Sequence, residues 1–255
     1  MNTKIDWHYH LSGRNIKEDI VTLKNYIHNE NMEQVYIMAT YFPENGSGVS
    51  NYNLYHHIKD IPEVKMYLSL DFNSYYFMHL NEIESILEES RDKVIGIKIY
   101  SGYQDIEYYG NDKFNKILEI ARKHNLYIMF HTGYLKGNKE KFKPMELEYL
   151  FLHNPDINFI LAHLSNPFIS ECIYLLSNHS NLYTDISGLI DRKVEIADTT
   201  KLVYKVAEQI DKDKILFGTD YPMQNYKTTL IFSDEVERVN KIKIKKEEKI
   251  WKSYY

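Results

Sequence analysis

The sequence predicts an α/β protein, a single (β/α)8 TIM barrel over residues 1–255 with a metal site at its C-terminal mouth. Three observations predict it: eight short apolar runs, helical periodicity between them, and His, Lys and Asp residues where the runs end. The runs are Lys4–His8, Gln34–Ala39, Val64–Leu70, Val94–Tyr100, Tyr127–Thr132, Asn158–His163, Leu182–Ile186 and Ile215–Asp220. Most are near-continuous rather than alternating, as parallel strands covered on both faces require.

The segments between them carry the other period. Ile16, Ile20, Leu23 and Ile27 fall at helical spacing, and Asn15 with Glu18 forms a capping box ahead of them. Phe114, Ile117, Leu118 and Ala121 make a second stripe. Ile169, Cys172, Ile173 and Leu176 make a third, and Val203, Val206 and Ile210 a fourth. Asn51–Asp60 is the least regular helix, because Pro62 and scattered polar residues blur its pattern. An open doubly wound sheet would carry a Gly-rich phosphate loop after the first strand, and none stands there. Longer loops at Tyr41–Asn51, Ser101–Asp112, Gly133–Pro144 and Gly188–Thr199 all follow strands, so a barrel places them around its C-terminal mouth.

Composition bounds the function. A hydrophobic fraction of 44% and a charged fraction of 26% describe a globule with ample core. The net charge of −5 argues against nucleic acid as a partner. The Lys-rich stretch Lys241–Lys252 reads as a solvated final helix, and the 23 tyrosines as a compositional bias. Cys172 is the single cysteine, which excludes an internal disulfide or a cysteine-rich zinc site. The first strand pattern begins almost at Met1 with no signal-peptide pattern before it, and no apolar run approaches the ~18 residues of a membrane helix. A cytoplasmic enzyme acting on a small molecule is the expectation, with homo-oligomerisation left open.

The chemistry gathers at the run ends. His8 and His10 are two residues apart, so on a strand both imidazoles point to one side, and the same alternation places Asp6 with them inside the barrel. Such a pair forms a natural divalent-metal corner. His131, His163 and Asp220 end three further runs and reach the same mouth. A buried aspartate without a partner is costly, and a cation offsets that cost. Lys98 ends the fourth run; inside a barrel it needs an anionic partner, a lowered pKa or covalent modification.

The set His8-x-His10, Lys98, His131, His163 and Asp220 resembles the amidohydrolase superfamily, in particular its amidohydrolase-2 branch of hydrolases and non-oxidative decarboxylases. The stretch from Val94 to Gly133 is similar to that branch, as are Ala162-His163, Asp185-Ile186-Ser187-Gly188 and Gly218-Thr219-Asp220-Tyr221-Pro222. The resemblance implies that His8, His10, His131 and Asp220 hold the metal. It also implies that Asp220 accepts a proton from the attacking water and that His163 is a second-site ligand or catalytic polarising group. Three imidazoles and one carboxylate suit Zn2+, with Mn2+ second. A single ion is expected, Lys98 contacting Asp or substrate; a carboxylated Lys98 would instead bridge a second ion beside His163. Trp7 departs from the pattern, standing where smaller residues are common, and either narrows access or packs behind the site.

The implied activity is hydrolysis of a small ester, lactone or amide. Decarboxylation of a small aromatic or unsaturated acid is the alternative, for which Arg14 and Arg192 near run ends are candidate carboxylate contacts. Nuclease-like relatives place Glu where this chain has Lys98, and the polymerase-associated type expects a His near the final Asp. An inactive binding barrel would be expected to have lost at least one ligand.

Overall fold

The computed structural model describes residues 4–41, 49–135, 141–190 and 196–240. Eight parallel strands form one sheet in chain order: β1 (Lys4–Tyr9), β2 (Met32–Met38), β3 (Val64–Ser69), β4 (Val94–Ile99), β5 (Tyr127–Phe130), β6 (Phe159–Leu161), β7 (Leu182–Asp185) and β8 (Ile215–Leu216). Beyond β8 the chain runs along β1 and closes the ring. The Trp7 N–H donates to the Phe217 carbonyl at 2.9 Å, Asp220 N–H to His8 at 2.7 Å and His10 N–H to Tyr221 at 2.7 Å.

Helices α1 (Ile16–Glu30), α2 (Asn51–Ile58), α3 (Tyr76–Ser90), α4 (Asp112–His124), α5 (Glu148–His153), α6 (Ile169–Asn178), α7 (Ile196–Ala207) and α8 (Tyr226–Asn240) fill the intervals. The predicted N-cap is present, but the box is not reciprocal through the backbone: the Asn15 side chain accepts from the Glu18 N–H, and its amide donates to the Glu18 carboxylate at 2.7 Å. α1 and α4 both end on a left-handed asparagine, Asn31 and Asn125, whose N–H groups return to helix carbonyls. The irregular Asn51–Asp60 segment is helical over Asn51–Ile58, started by the Ser50 side chain. Ile210 lies past the end of α7, so the fourth stripe is only partly helical. The predicted Lys241–Lys252 tail, Arg192 and parts of three loops lie outside the described residues. No described helix is long and apolar enough to cross a membrane.

Two apolar layers result. The larger lies between strands and helices. The smaller fills the barrel and includes Ile5, Trp7, Tyr36, Tyr67, Tyr127 and Leu216. Trp7 meets Tyr36 and Tyr127 edge-on, with ring centroids 4.9 and 5.5 Å away, so it packs behind the mouth as a plug.

That placement corrects the expectation for Asp6. Between Asp6 and Tyr9 the pairing of β1 with β2 slips, three steps on β1 matching two on β2. The bulge turns Trp7 and His8 both inward, whereas Asp6 faces the helical layer and accepts from Tyr26 of α1 at 3.0 Å. Strict alternation correctly put His8 and His10 together but wrongly added Asp6.

Candidate metal centre

The upper ends of the strands carry the titratable groups, each steered by a local device. His8 follows the β1 bulge, and Gly218 leaves it room: a Cβ on Gly218 would stand 2.7 Å from the Cβ of His8. Asp220 has a left-handed backbone, φ 54°, a conformation that aspartate tolerates better than most residues. Its neighbour Thr219 is anchored to Asp6 through the backbone N–H (3.1 Å) and the hydroxyl (2.7 Å). His163, Leu164 and Ser165 are three consecutive left-handed residues, φ 64°, 48° and 53°. The His163 N–H, donating to Asp185 at 3.0 Å, and the Thr132 hydroxyl, donating to the Ala162 carbonyl at 2.8 Å, hold that turn. These turns explain why β6 and β8 end before the predicted run ends.

Three ligand atoms converge. Asp220 Oδ1 lies 3.6 Å from His8 Nε2 and 3.5 Å from His10 Nε2. Tetrahedral bonds of about 2.0–2.1 Å imply donor separations of roughly 3.3–3.5 Å, so the corner fits a divalent ion. His131 is one ring away, its centroid 5.0 Å from that of His163. It stands outside the mutually close groups His8–His10–Asp220 and His8–His163–Asp185. Tyr103, 5.2 Å from the His131 ring, also lines a cleft of about 860 Å³ with Tyr108, Tyr109 and Phe142.

Hydrogen bonds assign the faces of the rings. A carbonyl only accepts, so the Nε2–H of His131 donates to Tyr134 at 2.8 Å and Nδ1 keeps the lone pair. The Nδ1–H of His163 points at the Ser187 carbonyl (3.0 Å) and hydroxyl (2.9 Å), leaving Nε2 bare. His8 Nδ1 donates to Asp185 at 2.8 Å and presents Nε2 to Asp220. Neutral imidazoles with a bare nitrogen are what a metal requires.

The electrostatics agree. Burial and Lys98 push His8 down to about 3, and burial, against the pull of Asp185, leaves His163 at about 4. Burial together with neighbouring histidines and Lys98 also lowers His10 and His131. Burial alone would raise the Asp185 carboxyl, but His8, His163 and the Ser187 hydroxyl outweigh it and hold the group well below its ordinary range. Although His8 and Asp185 have the spacing of an ion pair, the strong depression of His8 makes the pair a carboxylate with a neutral imidazole. Burial lowers Lys98 to about 8, against the pull of Asp185 and Asp220.

Sequence reasoning did not single out Asp185 as a site residue. It ends β7, is fully buried and orients both His8 and the backbone of His163. Its signal was an acid next to the last residue of the run Leu182–Ile186, within the Asp-Ile-Ser-Gly motif. Arg14 is exposed on the turn after His10 and does not reach inward.

Fold and site together define a barrel enzyme whose mouth can hold a divalent ion. Residues 81–249 match the Amidohydrolase family model, Amidohydro_2, and the chain belongs to that family of metal-dependent enzymes. Among curated proteins, 117 residues, 44% of this chain, are 26% identical to Protein fluG of Emericella nidulans, a match spanning only 13% of that protein. A probable 2-pyrone-4,6-dicarboxylic acid hydrolase from Acinetobacter baumannii with citric acid bound has a TM-score of 0.66 at 12% identity, with 92% of each chain covered. An amidohydrolase from Burkholderia multivorans with bound zinc gives 0.68 at 10% identity, covering 93% of this chain and 92% of that one. The 2,6-dihydroxybenzoate decarboxylase from Rhizobium gives 0.65 at 13% identity, covering 96% of each. These likenesses show the shared barrel.

Proposed function

We propose that the chain is a metal-dependent hydrolase of a small ester, lactone or amide, with one divalent ion held by His8, His10, His131 and Asp220. The observation that carries the reading is the convergence of His8 Nε2, His10 Nε2 and Asp220 Oδ1 at 3.5–3.6 Å. Zinc ranks ahead of manganese, because imidazole and carboxylate donors suit it and no thiolate is among them. When bound, such an ion lowers the pKa of water from 15.7 towards about 7 and polarises a carbonyl oxygen.

The residues do the rest. Asp220 takes a proton from the attacking water and passes it to the leaving oxygen or nitrogen as the acyl bond breaks. His163, its Nδ1–H committed to Ser187, accepts a hydrogen bond at Nε2 and orients water or a substrate hydroxyl. Asp185 fixes the His8 tautomer, and Trp7 closes the barrel behind the site. Decarboxylation is the second reading, supported by the shared barrel of the Rhizobium decarboxylase. Asp220 would then pass a proton taken from water or from an acidic group of the substrate to the carbon that loses CO2.

Protein prepared without chelators is expected to carry about one zinc per chain. Asp220→Asn and His163→Asn should each lower kcat by roughly 10²–10⁴-fold on an ester, lactone or amide substrate. Only Asp220→Asn should lose metal. Full activity in metal-free protein overturns the reading. So does a His163→Asn variant that empties the site while Asp220→Asn stays active. Release of CO2 rather than uptake of water selects the second reading.

A further inference from the structure

The loop after β4 builds one side of a cleft that the proposed mechanism does not use. The cleft measures about 860 Å³, a size at which small molecules bind. Tyr103, Tyr108 and Tyr109 of that loop and Phe142 from the segment after β5 give it aromatic walls. Asp105, Glu107 and Glu146 give it its charge, and none of the described residues lining it is basic. The acids are exposed whereas Tyr108 and Phe142 are buried, so the floor is aromatic and the rim acidic.

The walls are held in place before any ligand arrives. Gln104 pins the loop to the end of β3: its amide donates to the Leu70 carbonyl at 3.1 Å and accepts from the Phe72 N–H at 2.9 Å. Gly102 turns the chain at φ 78°, where a Cβ would stand 2.7 Å from a methyl of Leu135. Tyr108 meets Phe114, Phe130 and Phe142 edge-on, with ring centroids 5.2, 5.7 and 6.0 Å away. The Tyr109 hydroxyl donates to the Glu146 carbonyl. Two ring contacts join the cleft to the metal corner, 5.0 Å from His163 to His131 and 5.2 Å from His131 to Tyr103. Burial, with Glu146 adding to it, raises the hydroxyls of Tyr108 and Tyr109 above the ordinary tyrosine value, so both stay neutral. Two lysines of adjoining segments are engaged elsewhere: Lys141 lies 4.7 Å over the Tyr134 ring, and Lys113 donates to the Phe72 carbonyl at 2.7 Å.

We propose that this cleft receives a cationic arm of the substrate, an ammonium or quaternary ammonium group carried on an alkyl chain away from the reacting carbonyl. The inference rests on the hydrolase reading for the reaction at the other end of that chain, though not for the binding. A cation is attracted both by the faces of aromatic rings and by the acids at the rim. A neutral apolar arm would use the walls alone, and an anionic arm would be repelled by Asp105, Glu107 and Glu146. Walls fixed in advance spare the ligand the cost of ordering them.

Calorimetric titration with phenylbutylammonium, and with neutral phenylbutanol as its control, tests the cleft. The cation should bind saturably and more tightly than the alcohol. A triple variant, Asp105→Asn with Glu107→Gln and Glu146→Gln, should weaken the cation by about 10-fold and leave the alcohol unchanged. Tyr103→Leu should weaken the cation by about 2- to 30-fold, the range of a cation–π contact. All four side chains are exposed or half-buried, so melting temperature and zinc content should hold in both variants. Binding of neither probe to wild type overturns the proposal, as does equal binding of the two or full cation binding by the triple variant. Zinc-loaded protein is then given trimethylammoniohexyl acetate and hexyl acetate. A higher kcat/KM for the cationic ester, lost in the triple variant through KM, is the expected result, and equal values overturn the assignment to substrate. Hydrolysis of neither ester counts against the hydrolase reading, and the titration, repeated on metal-free protein, still decides whether the cleft takes a cation.

Discussion

Asp6 shows how much one residue behind the mouth controls. Its carboxylate accepts from the His8 N–H (3.0 Å), the Thr219 N–H (3.1 Å), the Thr219 hydroxyl (2.7 Å) and the Tyr26 hydroxyl (3.0 Å). Burial raises its pKa to about 6, the Thr219 hydroxyl being the largest opposing influence, so it is ionised at neutral pH. An amide in its place would turn an NH2 group towards donors. Asp6→Asn is therefore expected to cost about 3 kcal/mol of stability in urea unfolding. It should also weaken zinc binding, because Thr219 no longer holds Asp220. Wild-type stability in this variant would refute the four-donor account. The residue types at the mouth were legible in the sequence, since His, Lys and Asp closing apolar runs have few other uses. The direction of Asp6 was not, because a period of two carries through a bulge that it cannot detect.

Among the elements, the runs predicted the strands well because parallel strands covered on both faces leave little place for polar residues. Their ends were less legible. The run Asn158–His163 continues apolar through Leu161-Ala162, yet β6 stops at Leu161 and three left-handed residues follow. What ends the strand is the bond from the His163 N–H to Asp185, on a strand some twenty residues later, which local pattern cannot register. The β1 bulge has a similar remote support in Gly218. A Cβ there meets His8 and, at 3.1 Å, the Cβ of Ser187. Gly218→Ala should displace His8, lowering stability by about 1–3 kcal/mol and zinc affinity by about 10-fold or more. Chelator competition measures the second effect, and unchanged affinity would mean that the bulge alone positions His8.

For the whole molecule, the buried imidazoles set the response to acid. His8 and His163 have folded pKa values of about 3 and 4, below the ordinary 6.5, so the unfolded chain takes up their protons first. Their stabilising effect is complete above about pH 6.5 and is lost as the pH falls from there towards 4. Each contributes a slope of up to about 1.4 kcal/mol per pH unit. Metal-free protein should therefore lose stability steeply in urea between pH 6.5 and 4. A flat profile over that range would mean that these histidines are charged in the folded protein. Zinc at 100 times its dissociation constant should raise stability at pH 7 by about 2.7 kcal/mol.

Ring closure has a bearing on biosynthesis. Thr219 and Asp6 are 213 residues apart, and the bonds that join them also bring Asp220 against His8 and His10. During synthesis the two imidazoles of β1 emerge early and wait for a carboxylate made some two hundred residues later. A chain that stops short of Asp220 holds the imidazoles of His8, His10 and His131 but lacks the one carboxylate of the proposed ligand set. Docking of the last strand therefore completes the scaffold and the proposed ligand set in one event, and a product that stops before it lacks the carboxylate proposed to accept the proton.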